Sequence, residues 1–295
     1  MSTLYVADLD GTLLNENGVL SGETVSILKP LLAQGLQFTV ATARSPATVV
    51  DLLAPLALHT PAVLMTGAIL YDLNATRVLK TNALSPACVR DICQILESRN
   101  QEALAYCVKN EKLWVYYKEF CCDFERAFVA ERMHSPYKTF CQTARYAPAL
   151  AGGDTLMFLL CVPHEALAKS LCEAFSAVPN LRCYYYADEY NRGGYTLEVY
   201  DANCTKAHAL ADVIALTGAD NIISFGDNIN DIPLFSMSTE SCAVANAVPA
   251  AKHAATRVIG ANTNSGVPNG LRHILPENGR KNAKNRSCNA AFVVV

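Results

Sequence analysis

Along roughly the first eighty residues, short apolar runs take turns with longer stretches whose apolar positions recur at three- and four-residue spacing. "TLYVAD" reads as a buried strand, and Ser21 to Gln34 as an amphipathic helix stopped by Gly35. "LQFTVATAR" reads as a second strand, Ser45 to Leu56 as a second helix, and "AVLMTGAILYD" as a strand with a turn. The same rhythm returns near the end. Lys206 to Leu216 predicts a helix closed by Gly218; the strands "NIISFGD", "SCAVAN" and "TRVIG" follow, separated by helices around Ile232 to Met237 and Pro249 to Ala255. Apolar strands separated by helices predict a parallel sheet covered on both faces.

Between these blocks the texture changes. The stretch from 83 to 200 holds the single tryptophan, Trp114, the run "CYYYADEYNRGGYTLEVY" and the strand-like "TLMFLLCV". It predicts an independent α+β unit inserted into the first. The expected fold class is therefore α/β, a doubly wound Rossmann-like core with an inserted α+β cap. Its boundaries fall at 1–82 and 201–276 for the core and 83–200 for the cap, with 277–295 as a polar tail expected to fray.

Composition narrows the functions. The chain has 295 residues and a net charge of −3, with no long basic run before its last segment. Neither nucleic acid nor a membrane is expected as a partner, and small anionic ligands stay open. Twelve scattered cysteines show no C-x-x-C pair, so no zinc ribbon or redox motif is written. The longest apolar run, "LMFLLCV", is too short to span a bilayer and no leader pattern opens the chain, so a cytoplasmic protein is expected, monomer or homodimer.

The candidate chemistry gathers at predicted strand ends, where parallel sheets place their ligand crevice. Asp8 and Asp10 follow the first strand, Thr42 and Arg44 the second, and Asp227, Asn228, Asn230 and Asp231 follow "NIISFG". Lys206 opens a helix, with Thr205 or Asn203 as its cap. Paired carboxylates at the mouth of an apolar strand repel each other, and a fold tolerates them only where a cation, a reacting phosphate or solvent compensates. Hard oxygen donors suit Mg²⁺, while a lysine and a hydroxyl suit phosphoryl oxygens. Taken singly, each element also fits ordinary turn or cap chemistry; all of them in order at strand ends make that reading improbable.

These residues resemble the haloacid dehalogenase-like hydrolases, and within them the Cof-type phosphatases. "DLDGTLL", "TAR", "KAHAL" and "GDNIND" are similar to the four motifs of that family, and "AVANAVPAAKHAATRVIGANTNSGV" to its closing segment around Asn246, Asn262 and Gly266-Val267. The resemblance implies Asp8 as nucleophile, forming an aspartyl-phosphate, and Asp10 as general acid and base. It implies Mg²⁺ held by Asp8, the Asp10 carbonyl and Asp227, with Asp231 in or just behind that shell. Thr42, Lys206 and Gly11 would hold the phosphate, with Asn230 orienting the lysine or the phosphate. Arg44, Asn246 and the cap residue Arg192 are candidates for substrate contact.

Ala43 stands where the subfamily usually has glycine, and Thr66 where it has asparagine; Asn264 and Ser265 replace commonly acidic positions. None is a catalytic carboxylate. The expected function is a Mg²⁺-dependent phosphatase of a small phosphate ester, such as a sugar phosphate or phosphorylated cofactor. The rivals are a phosphomutase-type phosphoryl transferase and a non-catalytic phosphosugar sensor or receiver-like module.

Overall fold

A computed structural model describes residues 2–187 and 194–275. Arg192 and the tail at 277–295 therefore lie outside the described residues. The chain begins with β1 (Thr3–Ala7), α1 (Gly22–Ala33), β2 (Gln37–Val40) and α2 (Pro46–Leu53). An antiparallel three-stranded sheet follows: β3 (Ala62–Leu64), β4 (Ile69–Asp72) and β5 (Arg77–Thr81). The inserted unit runs through α3 (Pro86–Ser98), β6 (Leu104–Lys109), β7 (Lys112–Tyr117), α4 (Asp123–Arg132), β8 (Lys138–Gln142), α5 (Tyr146–Leu150), β9 (Asp154–Val162), α6 (Glu165–Ser176), β10 (Leu181–Ala187) and β11 (Tyr195–Asp201). The core resumes with α7 (Lys206–Thr217), β12 (Asn221–Gly226), α8 (Ile232–Met237), β13 (Glu240–Val244), α9 (Pro249–Ala254), β14 (Arg257–Ile259) and α10 (Gly266–Ile274).

The core sheet has the order β14-β13-β12-β1-β2, and every pair in it is parallel. Strand alternation explains its three layers. Leu4 and Val6 of β1 point to one face, where they pack with Ala209, Leu210 and Val213 of α7. Tyr5 and Ala7 point to the other, against Ile27, Leu28 and Leu31 of α1. Each fully buried aliphatic side chain contributes about 1.5–3 kcal/mol, so both helix layers are needed to hold β1 dry. Chain order changes direction between β1 and β12, and that switch point opens the crevice at the carboxyl ends of the two strands.

The cap sheet is mixed, in the order β10-β11-β9-β6-β7-β8, with β7 and β8 parallel and the other pairs antiparallel. On β6, Ala105 and Cys107 face the cluster under α3 and α6, while Leu104 and Tyr106 share the cluster that contains the core. A further tie joins cap to core: the Tyr137 hydroxyl donates to Asp51 of α2 at 2.7 Å. No helix among the described residues is long and apolar enough to cross a membrane.

Candidate active site

Asp8 ends β1. Its backbone N–H donates to Phe225 of β12 at 3.0 Å, which ties the two switch-point strands together at the crevice floor. The chain then turns tightly through Leu9–Leu13, with the Leu14 N–H reaching back to the Leu9 carbonyl at 2.9 Å. Gly11 makes that turn possible. It has φ +72°, and a Cβ there would run into the Asp227 carboxylate.

Lys206 is the first residue of α7, whose N-terminus is capped by the Thr205 hydroxyl accepting from the His208 N–H at 3.0 Å. That placement sends a lysine side chain, 3% exposed, between two carboxylates: its Nζ donates to Asp8 Oδ1 at 2.6 Å and to Asp231 Oδ1 at 2.7 Å. The second oxygen of Asp231 accepts from the backbone N–H groups of Asp227 and Asn228 at 3.0 and 3.1 Å. Both Asp231 oxygens are thus engaged, so this residue positions Lys206 and the loop after β12. Asp227 accepts from the Thr12 hydroxyl at 3.1 Å, and one carboxylate oxygen from each of Asp8, Asp227 and Asp231 lies within 4.8 Å of the others.

Three carboxylates thus face one ammonium. Burial pushes the Asp8 carboxyl up to about 7 against the pull of Lys206, and Asp231 and Asp227 push it the same way. Burial, then Asp231, also raises Asp227. Burial opposes the Lys206 charge, but Asp8 and Asp231 outweigh it and raise the lysine pKa. The arrangement stays short of positive charge until a cation joins it, and a hard-oxygen donor set with free carboxylate oxygens fits such an ion.

Thr42 is buried, and its hydroxyl accepts from the Arg44 N–H at 3.2 Å. Arg44 turns outward to Asp10 and grips it with two bonds, Nε to Oδ2 at 2.8 Å and Nη2 to Oδ1 at 2.6 Å. The Asp10 side chain is 57% exposed, so it stands at the rim beside the buried carboxylates rather than among them. Asn230 is exposed on the turn before α8 and joins none of these bonds. Asn246 donates to the Gly11 carbonyl at 2.7 Å and accepts from the Asn262 N–H at 3.0 Å, so it braces the Asp10-Gly11 turn.

Two further residues were not singled out from sequence. Thr12 orients Asp227, and its place in "DGT" is the signal that was available. Glu198 on β11 accepts from the Tyr186 and Tyr200 hydroxyls at 3.0 and 3.2 Å. A lone acid inside the apolar alternation "YTLEVY" was its signal.

A parallel sheet whose switch point carries an acidic cluster, a buried lysine and a hydroxyl defines a centre for hydrolytic phosphoryl chemistry. The haloacid dehalogenase-like hydrolase model matches residues 5–271, and the chain belongs to that family. It is 26% identical over 274 residues to the pyridoxal phosphate phosphatase YbhA of Escherichia coli, covering 90% of this chain and 97% of the relative. It is also 26% identical to the HMP-PP phosphatase of an Enterobacter species, covering 94% and 97%. Among solved structures, a haloacid dehalogenase-like hydrolase from Bacteroides thetaiotaomicron superposes with a TM-score of 0.73 at 18% identity, covering 93% of this chain and all of that one. A Thermotoga maritima protein gives the same TM-score at 23% identity, covering 94% and 98%.

Proposed function

We propose that this chain is a cytoplasmic, Mg²⁺-dependent phosphomonoesterase that attacks small phosphorylated metabolites through Asp8. The observation that carries the reading is Asp8 itself, a buried carboxylate fixed through one oxygen by Lys206 and beside Asp227. Asp8, Asp227 and the Asp10 carbonyl would hold the ion, which when bound supplies charge to the carboxylates and the transferring phosphoryl group. Lys206 and the Thr42 hydroxyl hold nonbridging oxygens. The free oxygen of Asp8 attacks phosphorus, the phosphorus–oxygen bond to the leaving group breaks, and Asp10 gives that oxygen its proton. Asp10 then takes a proton from water, which attacks the aspartyl-phosphate and releases inorganic phosphate. The Arg44 grip would orient Asp10 at the rim of the site, beside the leaving-group oxygen. Two relatives support the small-metabolite class, since their names state activity on pyridoxal phosphate and on HMP-PP.

The test is a single-turnover assay with an aryl and an alkyl phosphate, trapping phosphoenzyme by acid quench. Asp8→Asn should form none. Asp10→Asn should lose about 10²- to 10⁴-fold, with phosphorylation less impaired on the aryl ester, whose leaving group needs no proton. A phosphoenzyme formed by Asp8→Asn would reject the nucleophile. Transfer to a sugar hydroxyl without phosphate release would point to a mutase instead.

A further inference from the structure

Both crossings between core and cap bear on one short turn. It lies between β3 and β4, and three residues in succession hold positive φ there: Met65 at +52°, Thr66 at +59° and Gly67 at +98°. Only the last is glycine, and a Cβ on it would run into the Thr205 carbonyl. A methionine and a β-branched threonine in left-handed backbone are strained, and such strain persists only where the surroundings over-determine it.

On one side those surroundings are the phosphate ligands. The Met65 N–H donates to the Arg44 carbonyl and the Thr66 N–H to the Thr42 carbonyl, both at 3.0 Å, so the turn sets the loop that carries Thr42. The Thr205 carbonyl abuts Gly67, and the Cys204 thiol points at the Met65 and Thr66 carbonyls at 3.9 and 3.8 Å. The same turn therefore seats the start of α7, where Lys206 stands. On the other side is the cap. Asn82, in the crossing from β5 to α3, donates its side-chain amide to the Gly67 carbonyl at 2.7 Å and its backbone N–H to the Ala68 carbonyl at 2.8 Å. Two residues on, the Leu84 N–H donates to Thr155 of β9 at 2.8 Å, inside the cap. Cys204 belongs to the return crossing from β11 to α7. On β11 itself, the Tyr200 hydroxyl meets the Thr66 hydroxyl and donates to Glu198 at 3.2 Å.

Resting on the phosphatase reading above, we propose that Asn82 and Thr66 are positioning residues: through the turn at 65–67 they tie the seating of the cap to the placement of Thr42 and Lys206 on the phosphoryl group. Neither touches the reacting atoms. A packed interior has little slack, so a shift at either crossing moves the Met65 and Thr66 N–H groups and with them the Thr42 loop. Misplacing a group that acts on the reacting centre by about 1 Å costs about 10²-fold, and losing one of several braces should cost about tenfold. Thr42 and Lys206 meet charge that develops in the transition state, so the loss falls on kcat more than on KM.

The experiment measures kcat and KM for p-nitrophenyl phosphate, with melting temperatures, in four variants. Asn82→Ala and Thr66→Ala should each lose about tenfold in kcat with KM changed less than about threefold, and Thr66→Ser, which keeps the hydroxyl, should stay within about twofold of wild type. Tyr137→Phe removes the cap's bond to Asp51, which does not reach the turn, and should leave kcat within about twofold. Unchanged kcat in either alanine variant, once folded, makes that residue merely structural and overturns the proposal. A loss in Tyr137→Phe as large as theirs assigns the effect to general loosening of the cap and overturns it too. Should an alanine variant fail to fold, Tyr200→Phe takes its place with the same expected loss, and unchanged kcat there overturns the proposal. Absence of phosphate release from p-nitrophenyl phosphate by wild type would reject the phosphatase reading instead. The tie is then judged by amide hydrogen exchange, where Asn82→Ala should speed exchange at Met65 and Thr66 by about threefold or more and unchanged exchange overturns it.

Discussion

Replacing Lys206 with methionine, which keeps the volume and removes the charge, tests the electrostatic balance of the site. Among the described residues, Lys206 is the one cation bonded to the buried carboxylates Asp8 and Asp231, at 2.6 and 2.7 Å. Removing one partner of a buried ion pair costs about 3–5 kcal/mol, because the remaining charge is left without compensation. At about 2–4 °C per kcal/mol for a chain of this size, the metal-free protein should melt roughly 6–20 °C lower near neutral pH.

The pH dependence follows from Asp8. Its pKa in the folded protein, about 7, lies above that of an unfolded aspartate. The folded state holds the Asp8 proton more tightly, so the stability tied to this group is complete below about pH 4 and lost as pH rises through about 7. Lys206 pulls the Asp8 value down; without it the loss deepens and extends to higher pH. Thermal denaturation in chelator near pH 5 and near pH 8 should show the variant's penalty at the lower pH as less than about half that at the higher. Added Mg²⁺ should recover part of the loss near pH 8. Equal penalties at both pH values, or a drop under about 2 °C near pH 8, would refute the charge balance drawn from the geometry.

Gly11→Ala should cost about 1–2 kcal/mol from the left-handed backbone alone. Because the new Cβ displaces the Asp227 carboxylate, the Mg²⁺ concentration needed for half activity should also rise by about tenfold or more, which a metal titration reads. Arg44→Gln breaks a pair whose members are 27% and 57% exposed. Its melting temperature should stay within a few degrees, as exposed pairs contribute about 0–1 kcal/mol. Turnover of an alkyl phosphate should nonetheless fall about tenfold, and more than turnover of p-nitrophenyl phosphate, since Arg44 acts by placing the proton donor; equal losses on both esters would assign Arg44 to substrate binding.

The core was legible because its strands are apolar without alternation, as in "LYVA" and "IISF", and because each ends abruptly in a group that has no business in a core. Asp8, Asp227 and Lys206 could be paired on paper, since a parallel sheet brings all its carboxyl ends to one edge. The outward turn of Asp10 toward Arg44 was not legible, because it depends on loop torsions around Gly11 that the strand pattern does not encode. Nor was the anchoring of Asp231, whose second oxygen accepts from two backbone N–H groups of its own turn.

The cap shows why specificity is harder to read than chemistry. Alternation divides the tyrosine run of β10: Tyr186 lines a cavity of about 790 Å³ in the cap, whereas Tyr185 turns to the opposite face and packs with Tyr195. The other wall comes from α4, whose mean pattern is polar apart from Phe124, Phe128 and Val129 and gives no sign by itself of a binding face. Those phenylalanines acquire meaning only when β9 and β11 are brought opposite them by pairings among residues far apart in the chain. Catalytic groups are fixed by the ends of adjacent strands, which local sequence marks. A cavity wall is fixed by what lies across from it, and in this cap that is decided by the order of six strands.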